Sequence, residues 1–144
     1  MAKNKVLASI VSVLIFALFF SGQMNSEPAM EAMVKKQALA WEQGDVSSIV
    51  EDFAPSATFI AAGHIFQGVE AIQKAAEDYF RQFTDTKVTI KRVILEENQG
   101  AVEWDWSDRQ RNNGRQSQAE DAIIFELQDN GKIVYWREYI EKKN

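Results

Sequence analysis

The sequence contains no cysteine. Neither a disulfide nor a thiol-linked lipid can hold or tether this chain, so its stability comes from packing alone. A single histidine, His64, stands among 144 residues. One imidazole without a thiolate makes no zinc set, and the acids are scattered instead of spaced as in a calcium loop, so no metal is expected. The seven glycines build no phosphate-cradling loop, and neither Ser107 nor Ser117 sits in a Gly-x-Ser-x-Gly elbow. No cofactor is therefore expected, and a serine hydrolase is unsupported. Clusters of lysine and arginine are also missing, and the formal charge is −5. That balance argues against nucleic acid or anionic lipid as a partner.

What is present begins with an address. Lys3 and Lys5 precede an apolar stretch from Val6 to Phe20, the pattern of an export signal. The stretch falls short of the ~20 residues of a membrane span, although an uncleaved N-terminal anchor would use the same residues. A cut near Gly22 is expected; the Phe19-Phe20 pair supplies no small residue at the usual place before it. Losing residues 1–22 removes two lysines and no acid, which takes the formal charge from −5 to −7. The mature domain, residues 27–144, is then periplasmic or secreted, or held by the apolar segment. With 46% apolar residues overall, it has material for one core and no room for a second domain.

Helical periodicity comes first along the chain. Ser26 can cap a helix with Pro28 in its first turn, whose apolar positions Met30, Met33, Val34, Ala38 and Trp41 run to Gly44. Asp45 can cap a short second helix with Val46, Ile49, Val50 and Phe53 facing inward, stopped by Pro55. Ala57 to Ala61 suits a short strand, Gly63 and His64 a turn, and Ile65-Phe66 a return strand. Gly68 opens a third helix striped with Val69, Ile72, Ala76, Tyr79, Phe80 and Phe83. From Lys87 the period becomes two. Turn signals at Glu97–Gly100, Asn112–Gly114 and Asp129–Gly131 divide the rest into four antiparallel strands, Lys87–Glu96, Ala101–Arg111, Arg115–Leu127 and Lys132–Glu141. Helices followed by a meander give an α+β class, with the helices on one face of the sheet.

One run carries most of the chemistry. In Ala101-Val-Glu-Trp-Asp-Trp-Ser-Asp108, alternation puts Val102, Trp104, Trp106 and Asp108 on one face and Glu103, Asp105 and Ser107 on the other. Two indoles beside a carboxylate suit a pocket wall that holds an apolar ligand against a polar group. They equally suit a core with wet acids at its edge.

Four segments then coincide: Trp41-Glu-Gln-Gly-Asp45, Asp52-Phe-Ala-Pro-Ser-Ala-Thr-Phe59, Phe66-Gln-Gly-Val-Glu-Ala-Ile72 and Asn130-Gly-Lys-Ile-Val-Tyr-Trp-Arg-Glu-Tyr139. In this order and spacing they resemble the SnoaL-like branch of the nuclear transport factor 2 (NTF2) superfamily, over nearly the whole mature chain. The resemblance implies a cone-shaped, strongly curved antiparallel sheet wrapped around the N-terminal helices, with a pocket at the open end. It also implies a homodimer through the convex face, which here presents Glu103 and Asp105. Members include polyketide cyclases, ketosteroid isomerases, limonene epoxide hydrolases and scytalone dehydratases, so the fold does not select a reaction. Matched to limonene epoxide hydrolases, Asp108 and Glu138 fall on the two acids and Trp106 falls on the arginine between them. That missing arginine argues against epoxide hydrolysis, and Arg137 points to the other face.

The candidate acid-base residues are Asp108, Asp121, Glu138 and His64, and the candidate ligand contacts are Trp104, Trp106, Trp136, Phe59, Phe66 and Tyr79. Each has a plainer alternative. Asp121 can be a strand-end acid in water, Glu138 an ion pair with Arg92 or Arg137, His64 an exposed loop residue, and Tyr79 a core ring with a bonded hydroxyl. Indoles around a carboxylate raise the pKa of whichever acid is drier. The sequence thus points to a small, mostly apolar organic molecule bound in the cone. A general acid-base enzyme (isomerase, cyclase or hydrolase) and a filled-core interaction module are the alternatives.

Overall fold

The computed structural model describes residues 26–143. The expected export signal, its cleavage near Gly22 and the anchor lie outside the described residues. Three helices, α1 (Glu27–Gln43), α2 (Val46–Glu51) and α3 (Val69–Gln82), accompany six strands. The strands are β1 (Phe53–Ala61), β2 (His64–Gln67), β3 (Phe83–Glu96), β4 (Gln99–Gln110), β5 (Gln116–Leu127) and β6 (Ile133–Lys142). No described helix is long and apolar enough to cross a membrane.

Local signals place the helices. The Ser26 side chain accepts from the Ala29 amide, Pro28 occupies the first turn, and Gly44 closes α1 in a left-handed conformation at φ 66°. Those are the groups a helix leaves unpaired at its ends. Asp45 caps α2 by accepting from the Ser48 amide. Two expectations need correction here. α2 ends at Glu51, and Pro55 lies within β1 instead of stopping the helix. Phe83 does not extend the α3 stripe: its backbone is extended and it starts β3, four residues before the expected strand.

The sheet runs in the order β2-β1-β6-β5-β4-β3, curved and not closed. β3 to β6 form the antiparallel meander, whereas β1 joins β6 in parallel. The parallel pair arises because the chain returns from the meander to a strand made before α3. α1 lies across the concave face and buries Met30, Val34, Ala38, Ala40 and Trp41. Gln37 on the same helix is fully buried; its amide donates to Ile49 O and to Asp52 Oδ2, both at 2.9 Å, and so fixes α2 to α1.

Backbone geometry sharpens two turns. The β1–β2 hairpin turns through Ala62 and Gly63, at φ 50° and 80°, the mirror-image turn whose twist suits a hairpin. His64 is therefore the first residue of β2 instead of a turn residue. Gly100 sits inside β4, where an added Cβ would stand 2.6 Å from the Phe125 ring and 2.7 Å from Ile94 O.

Alanine at a left-handed position carries a backbone cost of about 1 kcal/mol that asparagine largely avoids. Ala62→Asn is expected to raise the melting temperature by about 4 °C, whereas Gly100→Ala lowers stability by about 2 kcal/mol through overpacking. Thermal melts followed by circular dichroism check both, and an unchanged melting point for Gly100→Ala would contradict the close approach.

Candidate functional site

The inner face of the sheet is an aromatic layer with three carboxyl groups set in it. Register aligns its rows. Trp104 of β4 stands opposite Asp121 of β5, Trp106 opposite Ala119, and Asp108 opposite Ser117. Phe125 stands opposite Trp136 of β6, Ile123 opposite Glu138, and Asp121 opposite Ile140. Phe59 of β1 lies beside Trp136 and, on its other side, Phe66 of β2. The ten candidate residues thus lie on this inner face or against it from α3, with His64 at its exposed end.

A buried indole N–H needs an acceptor, and here each sheet indole uses a carboxylate. Trp104 Nε1 donates to Asp121 Oδ2 at 3.2 Å, Trp106 Nε1 to Asp108 Oδ2 at 3.1 Å, and Trp136 Nε1 to Glu138 Oε1 at 3.0 Å. The rings also pack on one another: Trp104 lies 5.9 Å from Trp136 and 6.2 Å from Trp106, centroid to centroid. Trp41 of α1 completes the layer from above. Its ring lies 5.7 Å from Trp106, 6.4 Å from Phe59, 5.7 Å from Tyr79 and 5.5 Å from Phe80.

Trp104 and Trp136, each 1% exposed, are accordingly core residues, as is Phe59. The open side of the layer is elsewhere. Along β6 the inward positions pass from buried Trp136 through half-buried Glu138 to Ile140, 36% exposed. Along β1 and β2 they pass from buried Phe59 to half-buried Ala61 and Phe66, then to exposed His64. The cone therefore opens toward Glu138, Ile140, Ala61 and His64. Two surface concavities are present among the described residues. One of about 490 Å³ separates Glu27 and Glu31 from β3, and one of about 660 Å³ runs along Glu103, Asp105, Glu120 and Tyr139 and also reaches Trp104, Asp121 and Ile140.

The three acids differ in what surrounds them. Asp108, 6% exposed, is fully engaged: Oδ2 accepts from the Tyr79 hydroxyl at 2.8 Å and from Trp106, while Oδ1 accepts from the Ser117 hydroxyl. Tyr79 OH also lies 3.1 Å from buried Thr86 Oγ1. Burial pushes the Tyr79 hydroxyl pKa well up, with the neighbouring Asp108 acting the same way, so the phenol stays a donor. Tyr79 follows the core alternative, its ring stacked on Phe83 and its hydroxyl spent on Asp108.

Asp121 and Glu138 are less engaged. Asp121 is 6% exposed, and its Oδ1 has no hydrogen-bond partner. Burial raises its pKa from 3.8 to about 6, against the lowering effect of Trp104. Glu138 receives Trp136, not Arg92 or Arg137, and Arg137 instead lies 4.7 Å over the Tyr139 ring on the other face. Burial raises the Glu138 pKa from 4.5 to about 8, and the charge of Asp121 adds to the rise. Such a pair holds one proton near neutral pH and can give it or take one.

His64 is apart from the acids. It is exposed and packs 6.2 Å from the Phe66 ring; among the described residues it makes no hydrogen bond or ion pair with Asp108 or Asp121. Sequence reasoning overlooked Thr86, Ser117 and Trp41. Ser117 was within reach, because folding the strands about Asn112-Asn113 brings it opposite Asp108. Trp41 was visible as an apolar helix position, but not as the ring that closes the layer.

The chain matches the SnoaL-like domain family over residues 34–136. It belongs to that family. No protein of curated function matches the sequence. Among solved structures, SalBIII, an epoxide hydrolase/cyclase-like enzyme of pyran ring formation in salinomycin, superposes with TM-score 0.72 at 18% identity, covering 83% of this chain and all of that one. A protein of ketosteroid isomerase-like fold from Catenulispora acidiphila, in complex with trimethylamine, gives 0.69 at 17% identity, covering 74% and 83%. An NTF2-like protein of unknown function from an Exiguobacterium species gives 0.67 at 17% identity, covering 78% and 98%. At these identities the likeness concerns the fold.

Both dry carboxyls bind a proton more tightly in the folded than in the unfolded chain. Their favourable contribution is complete below the ordinary values of 3.8 and 4.5, and is lost as pH rises through about 6 and about 8. Denaturant unfolding at about pH 5 and about pH 9 is expected to show lower stability at the higher pH, and Glu138→Gln to shrink that difference. An equal pH dependence in wild type and Glu138→Gln would mean that Glu138 titrates normally.

Proposed function

We propose that this SnoaL-like domain binds a small, mostly apolar organic molecule at the open end of its cone. The observation that supports this most is the rim over the aromatic layer, formed by half-buried Glu138, Ala61 and Phe66 with exposed Ile140. Apolar surface with few placed polar groups is what a small-molecule site offers. Trp106 and Phe66 are aromatic candidates only partly buried and not assigned to the core, so a ligand contacts them before it reaches Trp104 or Trp136. Export by the N-terminal apolar stretch belongs to the same reading. So does self-association through the convex face, where Ile94, Ile124 and Tyr139 are exposed beside Glu103 and Asp105.

A second reading is favoured by the two dry acids. Ionised Asp121 as base and protonated Glu138 as acid would move protons on the bound molecule, as general acid-base catalysis at neutral pH requires. Asp108, its oxygens occupied by three donors, would instead hold Trp106 and Tyr79 in place. The epoxide hydrolase/cyclase description of SalBIII is compatible with such chemistry on this fold, although the arginine of limonene epoxide hydrolases is replaced by Trp106.

Native mass spectrometry of the protein from its own host is expected to show a co-purifying small molecule whose removal changes tryptophan fluorescence. Bare protein, together with fluorescence indifferent to a panel of small apolar compounds, would favour the filled-core alternative. Carboxyl carbon NMR titration tests the second reading. It is expected to give midpoints near 6 for Asp121 and near 8 for Glu138, and ordinary carboxylate midpoints would remove both from acid-base roles.

A further inference from the structure

The ligand class can be narrowed by the polar group that the dry acids lack. Asp121 and Glu138 are diagonal neighbours on adjacent antiparallel strands, since Asp121 pairs with Ile140 and Glu138 with Ile123. Diagonal positions on one face of a sheet are about 7 Å apart at the backbone, close enough for both carboxyl groups to reach one small group placed between them. Each acid has one oxygen already bound by an indole N–H, from Trp104 and from Trp136. Those two indoles are themselves adjacent, so the pattern is a square of two rings and two carboxyls. Indole N–H donors steady the carboxyls but bring no charge.

Beyond the one proton that the pair holds near neutral pH, what is left over is acceptor capacity. Asp121 Oδ1, in a side chain more than nine-tenths buried, has no donor from the protein. Glu138 makes its hydrogen bond through Oε1, and its side chain as a whole is half-buried. Among the described residues no ion pair joins a cation to Asp121 or Glu138, although Lys142 follows Ile140 on the same face of β6, opposite Ala119. Lys91 and Lys143 are paired on the convex face with Asp105 and Glu120, and Arg137 covers Tyr139 there. His64 stands two strands from Glu138 across β1, at the exposed end of β2. A buried carboxylate oxygen without a donor is costly, and the group that relieves it is a donor carrying positive charge. Aromatic surroundings favour the same choice, because a ring face attracts a cation.

Resting on the small-molecule reading above, we infer that the ligand carries a single protonated amine on its apolar body, with the ammonium donating to Asp121 Oδ1 and held against Glu138. A neutral alcohol of the same shape gives one donor without charge, and an anion would face both acids directly. The amine enters past Glu138 and Ile140, the side from which the corner is open.

The test compares benzylamine, a cation at neutral pH, with benzyl alcohol, its neutral near-isostere, on the full chain. Binding is read from the indole N–H resonances of Trp104 and Trp136, the protons donated to the two acids. Benzylamine is expected to bind roughly tenfold or more tightly than benzyl alcohol, shifting both resonances. In Asp121→Asn the preference collapses while benzyl alcohol binding is kept. Glu138→Gln, at a half-buried position, reduces the preference too and carries the test if Asp121→Asn fails to fold. Equal binding of the two probes overturns the amine assignment and leaves the apolar site standing. Binding of neither overturns both. A preference that survives both substitutions also overturns the assignment and moves the cation to the acidic convex face around Glu103, Asp105 and Glu120.

Discussion

The pairing of a buried indole N–H with a carboxylate is the interaction on which the interior of this domain depends. An indole is mostly apolar surface, and burying one is favourable only if its single donor is satisfied. Most interiors meet that need with a carbonyl or hydroxyl. Here all three sheet tryptophans use acids, Asp121, Asp108 and Glu138, so satisfying the rings brings three titratable groups under an aromatic layer. The chemistry of the site follows from how unequally that burden falls. Asp108 collects donors from three elements, α3, β4 and β5, and becomes a structural node. Asp121 and Glu138 receive one donor each and keep unspent capacity.

The fold turns this local pairing into a site by means of curvature and register. Antiparallel register brings Asp121 next to Trp104 and diagonal to Glu138; the parallel return of β1 onto β6 then adds Phe59 and Ala61 to the same face. α1 covers the centre of that face through Trp41 and leaves the far ends of β6 and β1 uncovered. Closed packing at the centre coincides with the side chains that α1 buries there, Trp41 above all. The rim is where Glu138 meets solvent, so its proton can exchange while the side chain remains largely dry.

Much of this was legible in the chain. Period-two alternation gave the facing of Trp104, Trp106 and Asp108, and the three turn signals gave the meander. Folding about Asn112-Asn113 and about Asn130-Gly131 even yields the neighbours of Asp121. What alternation could not supply is depth. It sorts residues by face but does not say how far a face is covered, and depth separates buried Trp104 from rim-placed Phe66. Helix signals were weaker at boundaries than at caps: Ser26, Gly44 and Asp45 marked ends correctly, while Phe83 matched a helical spacing that the extended backbone of β3 overrode. Pro55 misled for a related reason, since a strand joined on one side through the irregular β1–β6 register tolerates a residue with no amide donor. The isolated position of His64 could be read only from the strand order, because a lone imidazole has no pattern of its own.

Because the sheet never closes into a barrel, two strands end it with an edge that no further strand pairs, and they are guarded by different means. β2 offers only four residues, His64–Gln67, too short a template for another chain to extend. β3 is the hazard at fourteen residues, yet its pairing is broken in two places, one of them around Asp85 at φ 57°, and lysines at 87 and 91 punctuate its outer side. Bulges and charge on a long edge interrupt the straight hydrogen-bonding ladder that amyloid-like growth needs. In a chain with no disulfide to restrain partial unfolding, those irregularities in β3 work against templated growth on a strongly aromatic domain.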